Sequence, residues 1–65
     1  MQVRVIARTG NPLGLPECDM ETVPQHVMAL LNKLFFEGAV DLGGLVEVDG
    51  VRYVCTQQGW GEVLK

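Results

Sequence analysis

One histidine, His26, and two cysteines, Cys18 and Cys55, are a thin stock for nucleophilic or metal chemistry in this sequence. A nucleophile activated by an oriented base needs more than that, since Cys18 precedes His26 by eight positions with no link between them in the pattern. Zinc would suit Cys18, Asp19, His26 and Cys55, yet their spacing matches no usual ligand arrangement. The expectation is therefore no catalysis, no metal and no cofactor. Two cysteines outside a Cys-x-x-Cys pair do not build a disulfide scaffold, so both are read as free thiols. Cations are also scarce. Five Lys and Arg face eight Asp and Glu, giving a net charge of −3, and the isoelectric point is near 4.8. A domain that grips phosphate backbones carries the opposite balance, so no direct contact with nucleic acid is expected. Uninterrupted apolar runs are short of the ~20 residues that cross a bilayer. The opening MQVRVIARTG has Arg4 and Arg8 inside its apolar stretch and lacks the apolar centre of a signal peptide. These features point to a soluble protein of a reducing, cytoplasmic compartment. Repeats and low-complexity segments are missing as well.

What is present is enough to fold. Hydrophobic residues make up 48% of the 65 positions and charged residues 20%, an ordinary globular balance for a single domain over 1–65. So short a chain buries only about 60% of the surface its unfolded form exposes, which leaves it marginal unless well packed or docked. Gln2 to Arg8 sets Val3, Val5 and Ala7 against Arg4, Ile6 and Arg8, the period of a strand. Thr9 to Glu21 contains Gly10, Pro12, Gly14 and Pro16 and reads as a long connection, a kind that tends to carry function. Thr22 and Gln25 have capping-box spacing, and Val23, Val27, Met28, Leu30, Leu31, Leu34 and Phe35 share an arc of roughly 160° on a helix over 23–37. Gly38 supplies its left-handed stop.

After that helix, Asp49-Gly50 between alternating apolar residues predicts a hairpin. A two-residue turn pairs Val48 with Val51, Glu47 with Arg52, Val46 with Tyr53 and Leu45 with Val54. Val46, Val48, Val51, Tyr53 and Cys55 then face the helix. Leu45, Glu47, Arg52, Val54 and Thr56 face away, joined by Arg4, Ile6 and Arg8 if strand one lies alongside, and this outer face is read as solvated with a Glu47–Arg52 cross-strand pair, or else as a self-association or partner face. Gly59-Trp60-Gly61 is a turn signal, followed by room for a short edge strand at Glu62-Val63-Leu64. The predicted fold class is α+β, one helix packed on a three- or four-stranded, mainly antiparallel sheet in the order β-α-β-β(-β).

Three features point outward. Phe36 projects opposite the apolar arc, so it is either covered by the chain after Gly38 or an anchor for another molecule. Trp60 poses the same choice between an end plug of the core and an interface residue. Glu17, Asp19 and Glu21 recur every second residue before the helix, with Glu37 and Asp41 beyond its far end. In extended chain, acids two apart stand about 6.6 Å from each other, like a row of phosphates, although a helix dipole also favours acids at its start. The candidate protein-binding residues are therefore Glu17, Asp19, Glu21, Phe36, Glu37, Asp41 and Trp60.

In size, acidity and lack of catalytic equipment the chain resembles the anti-CRISPR proteins, small inhibitors with which phages disarm bacterial defences. The resemblance is one of format, covers no motif and carries over no residue. It implies a non-catalytic inhibitor that occupies a basic groove of a larger protein in the host cytoplasm, as several such proteins do by imitating DNA with acidic surfaces. Two other readings stand beside it: a structural module that pairs with a copy of itself as a homodimer, and a small-molecule binder with a hollow among Cys18, His26 and Tyr53.

Overall fold

Two consecutive residues of positive φ, Asp49 at 51° and Gly50 at 85°, reverse the chain in the computed structural model, which describes residues 1–11 and 13–64. That backbone hand matches the right-handed twist of the strands it joins. In chain order the elements are β1 (Val3–Ala7), β2 (Cys18–Asp19), α1 (Gln25–Phe36), β3 (Leu45–Val48), β4 (Val51–Thr56) and β5 (Gly59–Val63). All five strands form one antiparallel sheet in the order β1-β3-β4-β5-β2. The hairpin register is the predicted one at all four pairs. The α+β class stands; the last strand is β5, but it takes in Gly59-Trp60-Gly61, which read as a turn, and lies inside the sheet and not at its edge, because one further strand, β2, pairs beyond it from within the stretch read as a connection.

Two residues of β2 could not announce themselves by alternation. They are held by neighbours, Cys18 opposite Val63 and Asp19 opposite Glu62, with the Leu64 N–H donating to the Glu17 carbonyl at 3.0 Å. β2 comes so close to β5 that a Cβ at Gly61 would stand 2.5 Å from Cys18 Sγ and 2.8 Å from Cys18 Cβ. The glycine after Trp60 thus serves strand approach.

The helix starts two residues later than predicted. Pro24 is its N-cap, with no side-chain cap, and the Met28 N–H donates to the Pro24 carbonyl at 2.8 Å. The capping box does not form, because the Thr22 hydroxyl donates to the Asp19 carbonyl instead, at 3.3 Å. At the other end the Gly38 N–H reaches the Phe35 carbonyl and the Ala39 N–H the Leu34 carbonyl, with Gly38 at φ 81°. This paired closure satisfies carbonyls that a helix end otherwise leaves open.

The core lies between α1 and the sheet. Val27 and Leu31 pack with Val40, Val46, Val48, Tyr53, Cys55 and Trp60, and Val23, Met28, Leu30, Leu34 and Leu42 flank them half-buried. Val54 corrects the expectation of a solvated outer face. It points away from the helix yet is fully buried, set by the register between Leu45 and Gly61. On that outer face Glu47 lies between Arg4, at 3.2 Å, and Arg52, at 3.6 Å. Arg8 does not join them, because the register shifts between Val5 and Ala7. Its Nε instead donates to the Gly38 carbonyl at 3.3 Å.

The long connection between β1 and β2 is tied down at its start. Thr9 Oγ1 and the Gly10 N–H both donate to the Leu42 carbonyl, at 2.8 and 3.2 Å. There the backbones of Gly10 and Gly43 cross in direct contact, Gly43 holding φ 77°. No helix among the described residues is long and apolar enough to cross a membrane.

Candidate protein-binding site

A helix brings residues nine positions apart to opposite sides, since nine steps of ~100° make two and a half turns. Phe36 is nine residues beyond the buried Val27, and its ring points into solvent, 85% exposed. The chain after Gly38 leads away to Val40 and the start of β3, so the fold-back covering does not occur. Phe35, next to it, is 37% exposed, and the two rings meet edge to face with centroids 6.1 Å apart and planes at 74°. That geometry suits the ring quadrupoles and holds Phe36 against a neighbour of its own kind. Phe35 also borders an open groove of about 340 Å³ that runs past Asn32, Leu42, Gln58 and Trp60.

Glu37 and Asp41 follow Phe36 in the chain and are both exposed. Asp41 is fixed by its backbone: its N–H donates to the Arg8 carbonyl at 2.7 Å, its carbonyl accepts from Gly44 at 2.8 Å, and Oδ1 accepts from the Leu42 N–H at 2.7 Å. Two phenylalanines, two carboxylates and a groove therefore share one end of the helix. The cations there are Lys33, in the last helical turn, and Arg8.

Glu17, Asp19 and Glu21 precede the other end of α1. A 12-residue helix is about 18 Å long, so they are not part of the same patch. Their row is broken, too. Glu17 and Asp19 keep the extended spacing, whereas the Glu21 N–H turns back to donate to Asp19 Oδ1 at 2.9 Å. The register adds an acid that pattern reasoning missed, because Glu62 stands directly across from Asp19 and from Tyr53. Only an assigned β5 could have revealed it. Trp60 leaves the candidate set: it is 2% exposed and belongs to the core. Its strand position, opposite Cys55 on the helix-facing side, is the reason.

Grooves of about 400, 340 and 330 Å³ open on the described surface, and Cys18, His26 and Tyr53 line none of these three. Among the described residues no three of His, Cys, Asp and Glu stand close enough to share a metal ion. Burial pushes the Tyr53 hydroxyl above its ordinary pKa, with Glu62 and then Asp49 adding to the effect. Burial does the same to the Cys55 thiol, with Asp41 contributing. Both groups hold their protons more tightly folded than unfolded. Stability is then level below the ordinary range of these groups and falls as pH rises through their folded values. Chemical denaturation at successive alkaline pH values should show this loss, and Tyr53→Phe should reduce its steepness.

Comparison with family models, curated proteins and solved structures gives no match to this chain.

Proposed function

We propose that this protein is a non-catalytic binding domain that docks the Phe36 end of its helix onto a larger protein and occupies a basic site there. The observation that carries this reading is the exposure of Phe36 beside Glu37 and Asp41. Burying a phenylalanine contributes roughly 1.5–3 kcal/mol, which the isolated fold forgoes and a partner surface can recover. Aromatic anchors of this kind dominate interface energetics. The carboxylates act differently. Glu37 and Asp41 at the anchor, and Glu17, Asp19 and Glu21 at the other helix end, favour approach to a cationic surface and discourage acidic ones. A groove that ordinarily holds nucleic acid has the matching charge, and steric occupation of such a groove is the mode of the anti-CRISPR inhibitors that the chain resembles in format. Ala29, Asn32 and Lys33 lie on the helix between the two acidic ends, so the acids work as two steering spots flanking an aromatic contact.

The test is capture with the tagged chain, followed by titration of the captured protein. Phe36→Ala should weaken binding by about thirtyfold, the scale of a 2 kcal/mol hot spot. Glu37→Lys with Asp41→Lys should slow association and flatten its salt dependence, and duplex DNA should displace the chain. Undiminished affinity of the Phe36→Ala protein would defeat the proposal.

A further inference from the structure

The two edges of the sheet are unequal. β2 is blunted in the ways natural edges are, being two residues long, preceded by Pro16 and carrying Asp19 between the nearby acids Glu17 and Glu21. β1 runs for five residues, and Val3 and Val5 are 40% and 39% exposed although they face the helix side, opposite Val48 and Val46. Strand alternation places Met1, which is 73% exposed, on that same side.

The phase of the ladder shows what this edge offers. A two-residue turn makes Val48 and Val51 a hydrogen-bonded pair. Antiparallel alternation then turns the backbone groups of Glu47 toward β1 and those of Arg4, its register partner, toward β3. Gln2 follows the same phase: its carbonyl accepts from the Asp49 N–H at 2.8 Å, and its N–H donates to Asp49 Oδ1 at 2.7 Å. The N–H and C=O groups of Val3 and Val5 therefore point out of the sheet. Among the described residues no turn or loop bonds to them.

We infer that β1 is a self-pairing seam through which a second copy of this chain adds its own β1, antiparallel about a twofold axis at Val3. Symmetry leaves few registers in which outward-pointing residues meet. Centring on Val5 runs the pairing into the irregularity between Val5 and Ala7. Centring on Arg4 sets two guanidinium groups opposite each other, which is unfavourable. Centring on Val3 sets Val3 against the second copy's Val3, Met1 against its Val5 and Gln2 against its Arg4. No like charges then face each other, and the pairing ends before the irregularity. On the helix side, Met1, Val3 and Val5 of both copies form one apolar strip continuous with Val46 and Val48. The seam closes on itself, as an isologous contact must. Five residues make a small interface, of the class that forms weak, transient complexes, so dimerisation depends on concentration. This inference is independent of Phe36.

Sedimentation equilibrium of the full chain in reducing buffer, from micromolar to millimolar concentration, tests it. The mass should rise from the 7.1 kDa of a single chain toward twice that. Val3→Pro removes an N–H that the fold does not use, so thermal unfolding should persist while the dimer is lost. Val3→Lys brings two ammonium groups together at the axis and should raise the dissociation constant by about tenfold or more. A mass that stays at one chain throughout, growth beyond a dimer, or a dimer unaffected by Val3→Lys would each overturn the seam.

Discussion

Trp60→Ala should remove about a third or more of the protein's stability and lower its unfolding midpoint sharply, whereas Phe36→Ala should leave that midpoint nearly unchanged. The two aromatic side chains are equally conspicuous in the sequence and opposite in the structure. Trp60 is sealed among Val27, Leu31, Tyr53 and Cys55 on the helix-facing side of β5. Deleting so large a buried ring removes its transfer energy and leaves a cavity, together about 3–5 kcal/mol. A domain of this length has a total stability of only about 3–10 kcal/mol, at roughly 0.05–0.15 kcal/mol per residue. Phe36 buries little, so its truncation should cost less than about 0.5 kcal/mol, the ordinary range of a surface change. Urea denaturation followed by circular dichroism measures both. A Phe36→Ala loss comparable to that of Trp60→Ala would mean that the ring packs within the fold, and the docking role would fall with it.

Gly43→Ala should be the most damaging single methyl group in the molecule. Gly43 sits at φ 77°, in the left-handed region, and its position for a Cβ is already filled by the backbone of Gly10, with Gly10 C and N at 2.6 and 2.7 Å. A side-chain obstruction can rotate away; this one cannot, because Gly10 is held by its own hydrogen bond to Leu42. Left-handed strain of about 1–3 kcal/mol adds to overpacking of about 1–3 kcal/mol. The same crossing also supports the sheet, since the Gly43 N–H donates to the Cys55 carbonyl at 2.8 Å. Gly38→Ala is the control. It shares a positive φ of 81° but meets no atom within 4 Å, so it should lose only the conformational part. Equal losses at the two positions would show that contact with Gly10 contributes little.

Elements specified by neighbours in the chain are legible in the sequence alone. Asp49-Gly50 carries its own turn geometry and fixes four strand pairs. The helix follows from the spacing of Val27, Leu31 and their neighbours, and its end from Gly38. Features set by distant partners are not. Asp19 becomes a strand residue only because Glu62 lies across from it, and its carbonyl then draws the Thr22 hydroxyl away from the helix start. Trp60 looks displayed between glycines until the approach of Cys18 explains Gly61. The candidate site shows the same division. Phe36 could be placed outward by counting helical steps, but the separation of the two acidic groups depends on where the helix begins, and the burial of Val54 depends on strands that pair late in the sequence.

The placement of β1 and β2, neighbours along the chain but opposite borders of the sheet, has a kinetic consequence. Each must wait for a strand far downstream; the Arg4 to Glu47 bond, for example, joins residues 43 apart. The β3–β4 hairpin can form within microseconds and β5 follows β4 after a two-residue turn, whereas β1 and β2 must then be brought in by closing long loops at an entropic cost that later contacts repay. For its size this is a high-contact-order topology, and such chains fold more slowly than helical bundles of equal length.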